Sequence, residues 1–338
     1  MTESSIPPAI PPDLERVHEQ HKALARVVLR TPLWPWRGRS ARSFTEKGTK
    51  VSFKLELLQH AGSFKARGAL TAIGALDPAQ LSHGVVAVSQ GNHAMAVSFA
   101  AGVLGTSAKV IMPSTASPAR RAGCLAYGAE VILAADMNEA FAMARELQEG
   151  EQRTLIHPYE GESIALGTAT MGWEIVEQMP ELEAIIIPVG GGGMAAGIAS
   201  VVKRLLPHAQ CFGVEPFGAD SLYRSFQSGQ CESIPAVTTI ADSLGAPHAA
   251  PYSFGLCKQF LDDVVRVEDD EIRRAMAIYF RYLKLATEPA GATALAGLLG
   301  PLKARVAGKQ VCVITCGSNI DHQSYTRELS RGMELLGD

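Results

Sequence analysis

The sequence predicts an α/β fold in which parallel β-strands alternate with helices. From Val51 onward, short runs rich in Val, Ile and Leu are separated by longer amphipathic stretches. Parallel strands need a crossover connection that is usually helical, and these helices then cover both faces of the sheet. The near-continuous apolar character of the runs is typical of strands that are buried on both sides.

The predicted elements follow one another in regular alternation along the chain. The strands are expected at 51–58, 85–90, 108–113, 129–135, 154–158, 184–189, 211–216, 264–267 and 311–316. The helices are expected at 93–105, 118–128, 137–151, 167–179, 194–206 and 270–284. The sequence contains no internal repeat of fixed period.

Composition restricts the class of protein. Of 338 residues, 47% are hydrophobic and 19% are charged, which suits a globular protein with a large core. The formal net charge is -3 and the basic residues are dispersed, so nucleic acid is not an expected partner. The six cysteines form no CxxC or zinc pattern, and neither a membrane-length apolar run nor a secretory signal is present, which predicts a cytoplasmic protein.

The stretch AGSFKARGA, residues 61–69, places Lys65 directly after Phe64 and among small residues. Burial of this stretch would disfavour the charged ammonium and lower the pKa of the amine, which makes the amine a nucleophile for a carbonyl carbon. Alternatively, Lys65 and Arg67 are solvated residues of a helix that Ser63 caps. Taken alone, the segment favours this second interpretation.

A glycine loop is the next signal. Residues 184–202 predict a buried strand, four consecutive glycines and a helix. Glycines let backbone N–H groups approach an anion closely, and the helix N-terminus adds positive dipole, so this loop predicts phosphate binding. The same glycines, followed by Glu215 after the next strand, also fit a dinucleotide fingerprint, and a nicotinamide-dependent oxidoreductase is therefore a competing hypothesis. That hypothesis does not explain Lys65.

Polar residues follow other predicted strands, where α/β proteins usually bind ligands. One group is suited to binding a carboxylate and consists of Gln90, Gly91, Asn92 and His93. Helix capping and a packed histidine explain these residues about equally well. Cys316 ends the last strand, where it either contacts a ligand or is a buried thiol. Glu288 opens a helix, a position that favours a carboxylate in any case.

An amine nucleophile, a phosphate cradle and polar strand ends together describe a site for a phosphorylated aldehyde, which is pyridoxal phosphate. The chain resembles the fold-type II pyridoxal-phosphate enzymes, specifically the threonine/serine dehydratase and serine racemase family. The resemblance extends from Arg30 to Asp321. It includes, in family order, SFKARGA, SQGNHAMA, MPSTASP, HPYEG, GTATMG, GGGGM, GVEP, TIAD, EPAGA and CGSN.

This resemblance implies an architecture similar to that of the tryptophan synthase β subunit, with two open, mostly parallel sheets and helices on both faces. A large cofactor-binding domain would comprise residues 1–51 and 160–338, and residues 52–159 would form a smaller inserted α/β domain. The family also implies a homodimer or higher homo-oligomer that acts on a small amino acid and has no nucleic-acid or membrane partner.

The resemblance also implies site residues. Lys65 would hold pyridoxal phosphate as a Schiff base and later take the substrate α-proton. Further cofactor contacts are implied at Phe64, Asn92, Gly190, Gly191, Gly192, Gly193, Met194, Glu288 and Cys316. Contacts to the substrate carboxylate are implied at Ser63, Gln90, Gly91, Asn92 and His93. A divalent cation is implied at Glu215 and Ala219, but Ser221 stands where the family has a carboxylate, which leaves the cation undecided.

The resemblance predicts an ammonia-lyase that converts a β-hydroxy-α-amino acid into a 2-oxo acid and ammonia. L-Threonine and L-serine are the leading substrates, and hydroxyaspartate and phenylserine are further ones. A cysteine beside the pyridine nitrogen implies a weak electron sink that favours prompt loss of the β-hydroxyl. A racemase is the alternative within the family, disfavoured because Gln90 stands where serine racemases carry their second catalytic serine. A catalytically inert relative is a third possibility.

Overall fold

Two sheets flanked by helices form the computed structural model, which describes residues 9–337. Residues 1–8 and 338, at the two ends of the predicted large domain, lie outside the described residues. The strands are β1 (Leu33–Pro35), β2 (Lys50–Lys54), β3 (Val85–Val88), β4 (Ala108–Pro113), β5 (Glu130–Ala134), β6 (Thr154–Leu155), β7 (Ala184–Pro188), β8 (Gln210–Pro216), β9 (Asp263–Val267) and β10 (Gln310–Ile314).

At least one helix lies between each strand and the next. They are α1 (Leu14–Leu24), α2 (Arg39–Phe44), α3 (Lys65–Gly74), α4 (Pro78–His83), α5 (Asn92–Leu104), α6 (Pro118–Ala126), α7 (Met137–Glu151), α8 (Glu162–Gln178), α9 (Gly193–Leu205), α10 (Ser221–Ser228), α11 (Pro251–Phe260), α12 (Asp269–Ile278), α13 (Pro289–Leu299) and α14 (His322–Leu336).

The larger sheet has the strand order β1-β2-β10-β7-β8-β9, and the smaller sheet has the order β5-β4-β3-β6. Every neighbouring pair is parallel except β1 with β2 at one edge. The predicted fold class, two mostly parallel sheets with helices on both faces, is confirmed. The edge strand β1 was missed because it has only three residues and is largely exposed, so it lacks the apolar run of a central strand.

Each sheet is buried by its own helices. Strand residues such as Ile185, Ile186 and Val313 are fully buried in the core around the larger sheet. Separate clusters lie on the two faces of the smaller sheet, one containing Val85 and Val110 and the other Val86 and Ile111. This burial explains the unbroken apolar runs of the sequence, because neither face of a central strand meets water.

Some element ends differ from their predictions. The strand expected at 51–58 ends at Lys54, because residues Glu56–Leu58 form a short 3-10 helix. The helix expected at 270–284 ends as an α-helix at Ile278, and Tyr279–Leu283 continue as a π-helical turn. Such ends depend on local hydrogen bonds that hydrophobic periodicity does not report.

The smaller sheet is formed by one continuous part of the chain, whereas the larger sheet is formed by two parts. Strands β3 to β6 form the smaller sheet, while β1 and β2 precede it and β7 to β10 follow it in the larger sheet. The domain bounds at 51/52 and 159/160 stay a prediction, and β2 extends across the first of them. None of the helices between residues 9 and 337 has both the length and the apolar character needed to cross a lipid bilayer.

Candidate active site

Lys65 is the first residue of α3, and the backbone before it is fixed to the end of β10. Ser63 forms an antiparallel bridge with Gly317, and the Phe64 N–H donates to the Cys316 carbonyl at 3.1 Å. Phe64 occupies the N-cap position without a side-chain cap, while the buried Ser63 hydroxyl has no hydrogen-bond partner among the described residues. The alternative in which Ser63 caps this helix is therefore wrong.

The Lys65 amine lies in a low-dielectric environment. It donates a hydrogen bond to the Pro158 carbonyl and lies 5.1 Å from the centroid of the Phe64 ring. Burial lowers the pKa of Lys65 to about 8, and only the neighbouring Cys316 acts in the opposite direction. The amine therefore gives up its proton far more readily than a solvated lysine does.

Arg67, two residues further, is fully buried, so the idea that it is solvated is wrong. Its guanidinium pairs with Glu56 at 2.8 Å and with Glu174 at 2.8 Å, and Lys54 pairs with Glu174 at 2.7 Å. We call these four residues the charge cluster. It connects β2, the turn after it, α3 and α8, and thereby fixes the orientation of the helix that begins at Lys65.

Sequence reasoning missed the charge cluster as a unit. Its only signal was the presence of charged residues inside otherwise apolar segments, at Lys54 and Glu56 in VSFKLELL and at Glu174 in TMGWEIV. A buried charge requires a partner, but the sequence does not say which of the distant charges pair.

The glycine loop connects β7 to α9, and its geometry requires glycine. Gly192 has a φ of +90°, which L side chains rarely adopt. A methyl group built on Gly191 would lie 2.2 Å from the ring of Tyr159, and one on Gly193 would lie 2.3 Å from the Tyr159 carbonyl oxygen. The turn therefore brings its backbone against the segment that follows Pro158, the residue that accepts from Lys65.

These features fit pyridoxal phosphate. The first four N–H groups of a helix lack intrahelical acceptors, and those of α9 follow the glycines directly, so a phosphate has donors and positive dipole there without a cationic side chain. The Lys65 amine supplies a nucleophile for an aldehyde, and the unpartnered Ser63 hydroxyl beside it supplies a polar group with spare hydrogen-bonding capacity.

Asn92 and His93 lie at the start of α5, after β3. The Asn92 amide donates to Glu288 at 2.6 Å and accepts from Asn319 at 2.7 Å, so its side chain does not cap its own helix. A ring nitrogen of His93 lies 2.7 Å from the Ile156 carbonyl, and burial, together with the charge of Lys65, lowers the pKa of His93 to about 3. His93 is thus a neutral, packed histidine. Gln90 and Gly91 precede the helix on the partly buried turn.

Glu288 is fully buried at the N-cap of α13, and Arg120 reaches it from α6 at 3.5 Å. Burial raises the pKa of Glu288 to about 7, although Arg120, Asn92 and Ser243 stabilise its carboxylate. Arg120 also pairs with Asp242 at 2.5 Å and donates to the Asn319 carbonyl at 3.0 Å. Elements that flank the smaller and the larger sheet therefore meet at this carboxylate.

Cys316 follows β10 and lies close enough to Glu288 and Lys65 for their charges to affect its thiol. A methyl group built on the next residue, Gly317, would lie 2.2 Å from the Glu288 carboxylate and 3.2 Å from the Asn92 amide. Burial raises the pKa of the Cys316 thiol well above its usual value, and Glu288 adds to this effect. A neutral thiol therefore stands beside the Lys65 segment. Met194, in the first turn of α9, and Phe64 border the same cavity as Lys65.

Glu215 lies elsewhere, at the end of β8. Its buried carboxylate accepts backbone N–H groups of Leu222 at 3.1 Å and Tyr223 at 2.6 Å, and burial raises its pKa well above the usual value. Ala219 is buried nearby, and the Ser221 hydroxyl donates to a backbone carbonyl. Within residues 9–337, no group of three or more His, Cys, Asp or Glu side chains could hold a metal ion. A cation at Glu215 and Ala219 stays a prediction.

The sequence matches a protein-family profile and several known enzymes. The family profile described as pyridoxal-phosphate dependent enzyme matches residues 24–317. Phenylserine dehydratase from Ralstonia pickettii is 51% identical over 285 residues, which are 84% of this chain and 87% of that protein. L-Threonine ammonia-lyase from Geobacter sulfurreducens is 35% identical over 323 residues, which are 95% of this chain and 79% of that protein.

Solved structures give the same result. Maize serine racemase superimposes with a TM-score of 0.86 at 32% identity, covering 96% of this chain and 99% of its own. The processed form of threonine deaminase isoform 2 from Solanum lycopersicum superimposes with a TM-score of 0.88 at 29% identity, covering 100% of this chain and 99% of its own.

These relatives confirm the predicted resemblance and favour pyridoxal phosphate over the nicotinamide alternative. They confirm the predicted enzyme class as well, because dehydratases and ammonia-lyases are lyases. The glycine loop, Lys65 and the strand-end residues all lie within the matched range. The chain belongs to the family of pyridoxal-phosphate-dependent enzymes, in the group that contains the threonine and phenylserine dehydratases and the serine racemases.

Proposed function

We propose that this enzyme is an ammonia-lyase that dehydrates a β-hydroxy-α-amino acid and releases a 2-oxo acid and ammonia. The observation that carries the proposal is the Lys65 amine, which is buried, has a pKa of about 8, and is hydrogen-bonded to a carbonyl rather than to a carboxylate. The similarity to phenylserine dehydratase and to L-threonine ammonia-lyase supports the same reaction.

Residues around Lys65 would hold the cofactor. Lys65 would bind its aldehyde carbon, Phe64 would pack beside its ring, and Asn92, Glu288 and Cys316 would surround its polar edge. Gly190, Gly191, Gly192, Gly193 and Met194 would contact its phosphate. When bound, pyridoxal phosphate supplies an electron sink for the negative charge that proton loss leaves at the substrate α-carbon.

Lys65 is the base in this proposal. Its amine removes the α-proton. The bond between the β-carbon and its hydroxyl group then breaks, and the hydroxyl keeps the bonding electron pair, takes up a proton and leaves as water. The enamine that is released takes up water and yields the 2-oxo acid and ammonia. A pKa near 8 suits an amine that must first accept a proton and then return it at physiological pH.

The substrate carboxylate would be bound at the segment before α3 and at the start of α5. Ser63 contributes a buried hydroxyl that has no partner among the described residues. The N-terminus of α5, which begins at Asn92, adds positive dipole. Gln90, Gly91 and His93 complete the proposed contacts, with His93 present as the neutral imidazole.

Cys316 tunes the reaction in this proposal. Its thiol is held neutral by burial, so it does not supply the negative charge that would keep a pyridine nitrogen protonated. The negative charge at the α-carbon is then less stabilised, which favours rapid loss of the β-hydroxyl over a long-lived carbanion. Racemisation needs such a persistent carbanion and a second acid, and Gln90 stands where racemases supply a serine.

The experiment that tests the proposal is an assay of 2-oxo acid release by the holoenzyme. The panel consists of L-threonine, L-serine, 3-hydroxyaspartate and 3-phenylserine, with Lys65→Ala as the blank and Lys22→Ala, an exposed lysine on α1, as the matched control. We expect release that Lys22→Ala retains and Lys65→Ala loses. Chiral analysis of the recovered substrate tests the racemase alternative in the same samples.

Absence of release from the whole panel, despite the visible absorbance of the bound cofactor, would contradict the proposal and favour a racemase or an inert relative. Three further expectations stay predictions alongside it. They are a homodimer or higher homo-oligomer, a cytoplasmic location, and a divalent cation at Glu215 and Ala219.

A further inference from the structure

Three rings form an aromatic group at the candidate site, and the sequence motifs assigned none of them a role. We call His157, Tyr159 and His248 the aromatic cluster. The rings of His157 and Tyr159 are edge-to-face with centroids 4.6 Å apart, and those of Tyr159 and His248 are edge-to-face at 6.2 Å. Such geometry is favourable between aromatic rings and leaves the Tyr159 ring partly exposed.

The aromatic cluster adjoins both parts of the site. Pro158, between its first two members, accepts the hydrogen bond from the Lys65 amine. The Tyr159 ring lies against Gly191, and its backbone carbonyl lies against Gly193. The Tyr159 ring is therefore in van der Waals contact with the glycine loop. Tyr159 also directly follows Pro158, whose carbonyl accepts from the reacting amine.

The proposed reaction requires the β-substituent of a substrate to lie near the Lys65 amine. Lys65 must contact the α-carbon to remove its proton, and the β-carbon is bonded directly to that atom. The β-substituent must therefore lie beside the residues that surround the amine. Phe64 is assigned to the cofactor ring, and of the two aromatic residues that flank Pro158, His157 and Tyr159, the tyrosine carries the larger apolar ring.

The Tyr159 ring is held in one orientation. Its hydroxyl donates to the His248 carbonyl at 3.2 Å, and its backbone carbonyl accepts from the Ser253 hydroxyl at 2.6 Å. Its backbone N–H donates to Nδ1 of His157 at 3.2 Å. A ring that is fixed before binding loses little conformational entropy when a ligand packs on it.

His157 and Tyr159 offer little charge to a ligand. Burial and the charge of Lys65 lower the pKa of His157 to about 4, so its imidazole is neutral at physiological pH. Burial raises the pKa of Tyr159 to about 12, so its phenol keeps its proton. The neutral rings of His157 and Tyr159 suit an aryl substituent better than the second carboxylate of hydroxyaspartate, whose charge would be desolvated against them.

We propose that Tyr159 determines substrate specificity by packing against an aromatic β-substituent, so that the preferred substrate is a β-aryl-β-hydroxy-α-amino acid such as 3-phenylserine. This inference rests on the proposed ammonia-lyase function and names its substrate class. Loss of the ring contact and of the apolar area buried with it is expected to reduce the preference for an aryl substrate by about 10- to 100-fold.

The first test compares kcat/KM for 3-phenylserine with kcat/KM for L-threonine in the holoenzyme. We expect Tyr159→Leu to lower this ratio by about 10- to 100-fold, mainly through a higher KM for 3-phenylserine. Tyr159→Phe, which keeps the ring, should retain the ratio. Tyr282→Leu, at an exposed tyrosine of the π-helical turn, is the matched control and should leave both constants unchanged.

The second test measures binding without turnover. L-Phenylalanine and L-alanine differ by one phenyl group and have no β-hydroxyl to lose, so calorimetry on the holoenzyme isolates the contribution of the aryl contact. We expect the wild-type enzyme to bind L-phenylalanine more tightly than L-alanine, and Tyr159→Leu to lose this preference while its melting temperature and cofactor absorbance show that it is folded.

The outcomes separate the two proposals. If the enzyme deaminates L-threonine but shows no preference for the aryl ligands, or if the ratio is the same in Tyr159→Leu and wild type, the specificity role of Tyr159 is wrong and the ammonia-lyase function stands. Parallel loss on both substrates would also overturn it, because that result indicates a general positioning role. No release from any β-hydroxy amino acid, together with aryl-selective binding, would overturn the function alone.

Discussion

Two lysine amines, eleven residues apart, have opposite environments. Lys54 in β2 is fully buried, and its amine donates to the Glu174 carboxylate at 2.7 Å, to Gln178 at 2.8 Å and to the Thr31 carbonyl at 2.9 Å. The amine of Lys65, at the start of α3, is also buried, but its hydrogen bond goes to the Pro158 carbonyl. One lysine has a charge partner, whereas the other has a neutral acceptor.

This difference separates a structural lysine from a reactive one. In the charge cluster two cations meet two carboxylates, and Arg67 and Lys54 hold the pKa of Glu174 below its usual value although burial opposes them. At Lys65 burial acts almost unopposed and lowers the pKa to about 8. A buried amine is therefore informative about chemistry only when its partners are known, because a carboxylate partner stabilises the charged form.

The largest expected effect comes from removing the reactive lysine. Lys65→Ala should reduce 2-oxo acid release by about 10³-fold or more, because both the covalent attachment and the base are lost. Its urea midpoint, measured without cofactor, should stay at or above that of the wild type, since no ion pair is broken. Lys54→Ala should behave in the opposite way, with a lower urea midpoint. Equal loss of activity in two equally stable variants would contradict the comparison.

Breaking the charge cluster should affect stability strongly. Arg67→Met leaves Glu56 and Glu174 buried without their main partner, which is expected to lower the free energy of unfolding by about 3–5 kcal/mol. Urea unfolding followed by circular dichroism measures this loss. Arg67→Lys provides the control, since it restores a charge but not the bidentate fork, and should recover part of the stability. A wild-type midpoint in Arg67→Met would show that the cluster does not stabilise the fold.

The pH dependence of stability gives a smaller effect with a defined sign. The folded pKa of Lys65, about 8, is below the unfolded value of about 10.4, so the unfolded chain binds more protons between these values. The contribution of Lys65 to the free energy of unfolding therefore rises with pH between these two pKa values. Below about pH 8 this contribution does not change with pH. Without cofactor, the wild type should gain stability relative to Lys65→Met from pH 8 to 10, as urea midpoints would show. A constant difference would mean that Lys65 is not desolvated.

The smallest effect is expected at an exposed ion pair whose acidic member, Glu177, is on the same helix as Glu174. Arg30 contacts Glu177 at 2.9 Å, but their side chains are 53% and 37% exposed. Arg30→Ala should change the free energy of unfolding by less than about 1 kcal/mol, because water solvates both charges after the pair is broken. A loss as large as that of Arg67→Met would show that burial is not what separates the two pairs.

Sequence patterns predicted the parts of this enzyme that depend on local order. Apolar runs alternating with amphipathic stretches predicted parallel strands covered by helices, since strand burial leaves a direct trace in composition. The division of these strands into two sheets was implied by the family resemblance and is present in the structure. Four consecutive glycines marked the loop, because a phosphate cradle requires close approach of the backbone. The lysine among small residues favoured a solvated side chain when taken alone, and it indicated a nucleophile only together with the other motifs.

Only the tertiary structure decided which distant residues meet. Arg67 was indistinguishable from a solvated arginine until folding brought it against Glu56 and Glu174, and Tyr159 had no assigned role until its ring was seen against Gly191. Pairing of buried charges and placement of a ring over a loop depend on chain segments far apart in sequence. Residue type and spacing report what a local segment can do, whereas desolvation and contact, which set the pKa of Lys65, arise only when those segments pack together.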